Sequence, residues 1–244
     1  PGATIQFTWN DTSARGTSKA ETMADATGRF SLVGPKGKAL TVNVFKNGYH
    51  TSGGRGGRGF EYAAFFEGNF HRPDRERPVI FRLTKKLDPE PLIARHVSED
   101  LSYDGGAYYY DLQRGTVDRD VPASESLKFS FERSQSPQGK SFDWKVQVEA
   151  VNGNLQETKD EFAQLAPEDG YAAVWQDSSV ATAQPFRRSA QARFYVHTGD
   201  NRYARVDVEL VHPNERNLGP NVTISSFLNP SGSHNLEIDK AAAP

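Results

Sequence analysis

An all-β protein built as two successive sandwiches is the fold the sequence predicts, and three observations predict it. Segments alternating apolar and polar residues dominate the chain, helical spacing is nearly absent, and turn signals punctuate the segments at short intervals. The alternation is cleanest from Tyr203 to Val211, where Ala204, Val206, Val208 and Leu210 interleave with Arg205, Asp207 and Glu209. Such a strand has one face in a core and the other in water. Further strands are expected at Thr4–Trp9, 28–33, Ala39–Phe45, 78–84, 127–133, 142–151, 192–197 and 222–228. Thr198-Gly199-Asp200-Asn201 and Asn152-Gly153 read as hairpin turns. The best helical signal, 158–165, is a turn or two stopped by Pro167.

Composition sets limits. The 244 residues are 36% hydrophobic and 11% aromatic, with 15 Phe and 9 Tyr, so bulky strand formers offset a low apolar content. Length alone allows two domains of ordinary size. Lys85-Lys86-Leu87-Asp88-Pro89-Glu90-Pro91 is polar and proline-rich, which places a stiff linker there and divides the chain into 1–86 and 87–244. Net charge is -2, from 29 basic and 31 acidic residues, so no global field draws in nucleic acid or an anionic membrane. The absence of cysteine excludes disulfides, thiol catalysis and thiolate metal sites, and leaves the redox compartment open. No apolar run reaches the length of a membrane helix. A chain opening on Pro1 without an initiator Met reads as a trimmed or a processed product.

The first domain carries a turn at Asp25 to Gly28, then Arg29-Phe30-Ser31-Leu32, and later Lys46-Asn47-Gly48-Tyr49. With Pro1-Gly2-Ala3-Thr4-Ile5 at its head, this third of the chain resembles the carboxypeptidase regulatory-like family. That resemblance implies a transthyretin-like, immunoglobulin-like sandwich, no catalysis of its own, and export to the periplasm, cell surface or medium. The zinc ligands and catalytic glutamate of a metallocarboxypeptidase are not recognisable, so peptidase activity does not carry over. The segment Leu228 to Glu237 resembles one in uncharacterised secreted bacterial proteins, which have no assigned activity to lend.

Residues 51–77 read as a mobile loop inserted in the first domain, because Gly53, Gly54, Gly56, Gly57 and Gly59 crowd one stretch. Phe60, Tyr62, Phe65, Phe66 and Phe70 follow and are the candidate interaction residues. Its two enclosed arginines, Arg55 and Arg58, are too few for a nucleic-acid reading. In the second domain, Tyr108, Tyr109, Tyr110 and Trp175 are candidate ligand-binding rings, since flat rings stack on sugar faces; Trp144 reads as core. His50 and His71 bracket the loop, yet no histidines share a metal-ligand spacing, and a structural role is expected for them. Two acidic runs, Glu99-Asp100 with Asp104 and Asp118 with Asp120, are the only calcium candidates, and neither has a full ligand ladder. No nucleophile motif, zinc motif or phosphate loop occurs. The function expected is a non-catalytic, secreted or cell-surface sandwich protein with a structural or adhesive role, self-assembling into an array or filament or joining cell-surface partners, without cofactor or catalytic residues. Carbohydrate binding is the alternative, and a hydrolase the third class.

Overall fold

The computed structural model describes residues 1–10, 16–51, 57–63, 70–120, 126–134, 141–213 and 219–238. Among them there is no helix, and every strand pairing is antiparallel. The fold is all-β, as the alternation predicts. The chain forms two compact units, Pro1–Lys86 and Leu87–Pro244.

In the first unit, β1 (Thr4–Trp9), β2 (Ser18–Met23), β3 (Ala39–Phe45), β4 (Tyr49–Thr51), β5 (Arg58–Glu61) and β6 (Leu83–Lys85) follow in order. Four of them form a sheet ordered β2-β1-β3-β5, while β4 pairs with β6. Ile5 and Phe7 of β1 and Val42 and Val44 of β3 point to one side and are buried with Ala3, Ala24 and Phe60. Three expectations need correction here. Residues 28–33 and 78–82 form no ladder, although their alternation still holds: Phe30, Leu32, Val79 and Phe81 pack on the core while Ile80 is 72% exposed. A period of two fixes which side chains turn inward; a strand also needs a neighbour for its backbone groups. The closing strand shrinks accordingly to Leu83–Lys85. Nor is 51–77 wholly loop, since β5 pairs with β3 from Ala39↔Glu61 to Val42↔Arg58, and Gly59 sits within that ladder.

The second unit is a sandwich of two five-stranded sheets. Its strands are β7 (Ile93–Asp100), β8 (Tyr108–Asp111), β9 (Val117–Asp118), β10 (Ser126–Arg133), β11 (Trp144–Val151), β12 (Asn154–Glu157), β13 (Val174–Ser179), β14 (Ser189–His197), β15 (Tyr203–Val211) and β16 (Asn221–Asn229). One sheet runs β13-β11-β10-β8-β9 and the other β12-β14-β15-β16-β7. Leu127 and Phe129, with Val146 and Val148, line the inner face of the first; Phe194, Val206, Leu210, Ile224 and Leu228 answer from the second. Tyr110 hydroxyl and Ser226 Oγ, both fully buried, meet at 2.7 Å and join the two sheets through the core.

The turn Thr198–Asn201 is the expected hairpin, connecting β14 to β15 with Asn201 at φ 64°. Asn152-Gly153 is not: β12 pairs with β14 in the other sheet, so this turn carries the chain across the sandwich. The two turns touch, and a Cβ on Gly199 would lie 2.1 Å from the Asn152 carbonyl oxygen. Residues 158–165 form no helix, because Thr158 Oγ1 accepts from Asp160 N–H at 3.0 Å and Asp160 Oδ1 from Phe162 N–H at 3.0 Å. Each is a side-chain turn, the alternative to a helix that Thr and Asp offer the backbone.

Candidate interaction surface

Alternation along β14, β15, β16 and β7 puts a second set of side chains on the outer face of their sheet, and the register arranges these in rows. Ser98, Thr223, Glu209 and Gln191 lie directly across from one another in one row. His96, Ser225, Asp207 and Arg193 form the next. Hydrogen bonds tie the rows together: Ser98 Oγ to Thr223 Oγ1 at 3.1 Å, His96 Nδ1 to Ser225 Oγ at 2.9 Å, and Gln191 Nε2 to Glu209 Oε1 at 2.9 Å. Cross-strand pairs of this kind each contribute a few tenths to about 1 kcal/mol, and here they also hold the polar groups in fixed positions.

Asp207 is the electrostatic centre of the face. It takes Arg193 on one side and Arg205 on the other, the latter at 2.8 Å. Burial pulls the Arg205 guanidinium below its ordinary range, and Asp207 opposes that pull. The same two arginines hold the segment 158–166 against the sheet: Arg193 Nη1 donates to the Asp160 carbonyl at 2.9 Å and Arg205 Nη1 to the Phe162 carbonyl at 2.7 Å. Under that strap Ala163, Ala166, Tyr195, Tyr203 and Leu236 form a small separate core. Where the strap ends, Thr158 and Lys159 border a groove of about 340 Å³ floored by Gln191, Arg193, Asp207, Glu209, Thr223 and Ser225.

His96 beside Ser225 invites comparison with a nucleophile and its base. The order across the row, however, is His96, Ser225, Asp207, with the serine in the middle and the carboxylate held by two guanidiniums. An orienting carboxylate belongs on the far nitrogen of the histidine.

The sequence-nominated rings are distributed differently. Tyr108 and Tyr110 are 8% and 0% exposed and belong to the core, which corrects their assignment as ligand-binding residues. Strand β8 turns both inward, as alternate residues must. Tyr109 alone of the three faces out, in a row with Asp118, Lys128 and Glu149 on the opposite sheet. Trp175 packs edge-on against Phe194 at 5.3 Å, and its Nε1 donates to Glu157 at 3.0 Å, so it is half-buried at the margin of the core. Of the loop rings, Phe60 is buried beneath its own sheet, Tyr62 packs edge-on to His71 at 5.7 Å, and Phe70 is 42% exposed. Phe65 and Phe66 lie outside the described residues. Phe60 therefore leaves the interaction group. Within the loop, 52–56 and 64–69 are likewise undescribed.

Among the described residues, no three of His, Cys, Asp and Glu converge as metal ligands. Asp104, a calcium candidate, instead forms a two-point pair with Arg119, whose guanidinium lies 4.1 Å over the Tyr108 ring. Those hydrogen bonds hold the Asp104 carboxyl below its usual range. Asp118 accepts from the Arg119 N–H at 2.6 Å and Asp100 from Asn221 Nδ2 at 2.9 Å.

Sequence reasoning missed a buried histidine. His212, 1% exposed, stacks on Trp144 at 4.5 Å and is bonded through Nδ1 to the Tyr103 hydroxyl. Among the described residues its Nε2 has no partner. Burial chiefly, helped by Arg133, pulls its pKa down to about 4, while burial pushes Tyr103 up to about 12. Tyr103 is therefore the donor and His212 is neutral at pH 7. Its place one residue beyond a strongly alternating strand was the only signal available. No helix among the described residues is long and apolar enough to span a membrane.

No family model, no curated protein and no solved structure matches this chain.

Proposed function

We propose that the chain is a non-catalytic structural or adhesive module, exported to the cell surface or medium, that works by joining copies of itself or a protein neighbour along its sheets. The observation that carries this reading is strand β7, which ends its sheet with exposed side chains along most of its eight residues. An edge strand presents backbone donors and acceptors that a further strand can complete. The polar outer face beside it adds cross-bonded side chains whose mutual ties serve as a fixed docking surface. Export rests on the resemblance of the first third to the carboxypeptidase regulatory-like family. Sedimentation velocity and negative-stain microscopy of the whole chain, from roughly 10 µM to 1 mM, test the assembly. Concentration-dependent oligomers or ordered polymers are expected, and a monomer throughout would remove the reading.

The groove beside Thr158 favours a second reading, carbohydrate binding. Gln191, Glu209, Thr223 and Ser225 supply donors and acceptors at fixed spacing on one surface, which suits a row of hydroxyls. Retention on immobilised polysaccharides, lost in Glu209→Ala, is the expected outcome of that reading; no retention on any gel would end it.

A further inference from the structure

We propose that β7 pairs with β7 of a second copy, antiparallel about a two-fold axis through Val97, placing Arg95 of each copy opposite Glu99 of the other. This inference rests on the self-assembly reading above and specifies its interface.

The register follows from the backbone. Leu101 N–H donates to the Pro220 carbonyl at 2.9 Å, one step beyond the Asp100↔Asn221 pair. Both polar groups of a residue in an antiparallel ladder point the same way and alternate along the strand. Ile93, Arg95, Val97 and Glu99 therefore turn their backbones toward β16, and Ala94, His96, Ser98 and Asp100 turn theirs outward, where no strand among the described residues follows. A two-fold axis perpendicular to the sheet keeps each face with itself, so only registers centred on a residue are allowed.

Centring on Val97 sets His96 opposite Ser98 and Ala94 opposite Asp100 as hydrogen-bonded pairs, each repeated by symmetry. The side chains on the other face then meet as Val97 with Val97 and Arg95 with Glu99, in the close, non-hydrogen-bonded geometry. Centring one residue earlier or later puts both charges against Ile93, Val97 or Leu101. The charges thus select one register and one partner. Val97 is half-buried against the core, whereas Arg95 and Glu99 are exposed. Inward-facing charges at an edge ordinarily repel a foreign apolar strand; against a second copy they become complementary. Only part of this edge is already engaged: Arg95 Nε donates to the Gln113 carbonyl at 2.8 Å and Nη1 to its neighbour's, Ala94, at 3.0 Å. The shorter edge β2 offers a comparable pair, Lys19 opposite Glu21, over six residues.

Charge exchange provides the test. In sedimentation equilibrium of the whole chain, Arg95→Glu and Glu99→Arg are each expected to weaken dimerisation about tenfold or more, because two attractive contacts per dimer become repulsive. An equimolar mixture of the two variants restores it, since every facing pair is again opposite in sign. Glu99→Arg leaves the Arg95–Gln113 contact alone, and circular dichroism with thermal melts verifies that both variants fold. A dimer unaffected by either change, or not restored by mixing, overturns this interface while leaving self-association through another surface standing. A wild-type chain that stays monomeric overturns both.

Discussion

Tyr110→Phe separates a core role for the tyrosine cluster from a binding role. The substitution removes one oxygen atom and leaves the ring in place between Leu127 and the facing sheet. Ser226 Oγ then loses its 2.7 Å partner while remaining fully buried. A net hydrogen bond contributes about 1 kcal/mol, and a buried group left unsatisfied costs about 1 to 3 kcal/mol, so a loss of about 2 kcal/mol is expected for the single variant. Ser226→Ala has a similar cost, because the phenol is then stranded. The double variant removes both polar atoms and should be less destabilised than the two singles added together, giving a coupling of about 1 kcal/mol or more. Urea titration followed by Trp144 and Trp175 fluorescence, in a Trp9→Phe background that silences the first unit, reports on the second unit. Additive effects, or a single variant within about 0.3 kcal/mol of wild type, would refute the inter-sheet bond and reopen Tyr110 as a surface residue.

Three other outcomes follow from the same geometry. His212 has its folded pKa depressed to about 4 from 6.5, so its unfolded form binds the proton first; stability from this group is full above about pH 6.5 and falls as pH drops toward 4, by about 3 kcal/mol in all. His212→Phe should flatten that part of the pH–stability curve, and an unchanged slope would contradict it. Asp207→Asn leaves Arg193 and Arg205 as unneutralised neighbours; a loss on the order of 2 kcal/mol is expected in the same titration, with faster proteolysis at 158–166, and an intact strap under protease would disprove the anchoring role. Gly199→Ala forces a methyl against the Asn152 carbonyl and should lower the melting temperature by several degrees, on the order of 1 to 3 kcal/mol; a neutral result would mean the two turns do not touch.

Half of the second unit's strands were legible: β10, β11, β14, β15 and β16 are amphipathic on their own, whereas β7, β8, β9, β12 and β13, short or mostly polar, carry little alternation and were not read as strands. Ala204 to Leu210 alternate so strictly that both the core face and the outer face can be assigned before any partner is known. The first unit was less so. Phe30 and Leu32 alternate like a strand and do turn inward, but Gly28 and Pro35 flank a segment with no neighbour in register, and hydrogen-bonded pairing is a property of two segments, not one. Asn152-Gly153 failed for the same reason: the dipeptide specifies a tight turn, whereas the identity of the next strand's partner is set by Leu155 reaching into the core opposite Val196. At 158–165, Thr158 and Asp160 carry the turn chemistry that a search for helical spacing overlooks.

The candidate surface was least legible, and the reason is physical. Aromatic residues are the most conspicuous feature of a polar sequence, yet burial is what stabilises them, so Tyr108, Tyr110 and Phe60 went to the core. The surface that remains is made of Ser98, Thr223, Glu209, Gln191, His96 and Ser225, residues unremarkable in sequence and separated by up to 129 positions where they bond, as His96 and Ser225 are. Only register brings them into rows. Edge chemistry has the same character: Arg95 and Glu99 read as ordinary surface charges until β7 is known to end its sheet. Their four-residue separation then becomes a specification, because a two-fold ladder brings residues equidistant from its centre face to face. Charge at an edge that merely prevented association would work with either sign at either position. Opposite signs placed symmetrically about a central valine do more, and the mixed-variant experiment distinguishes protection from recognition.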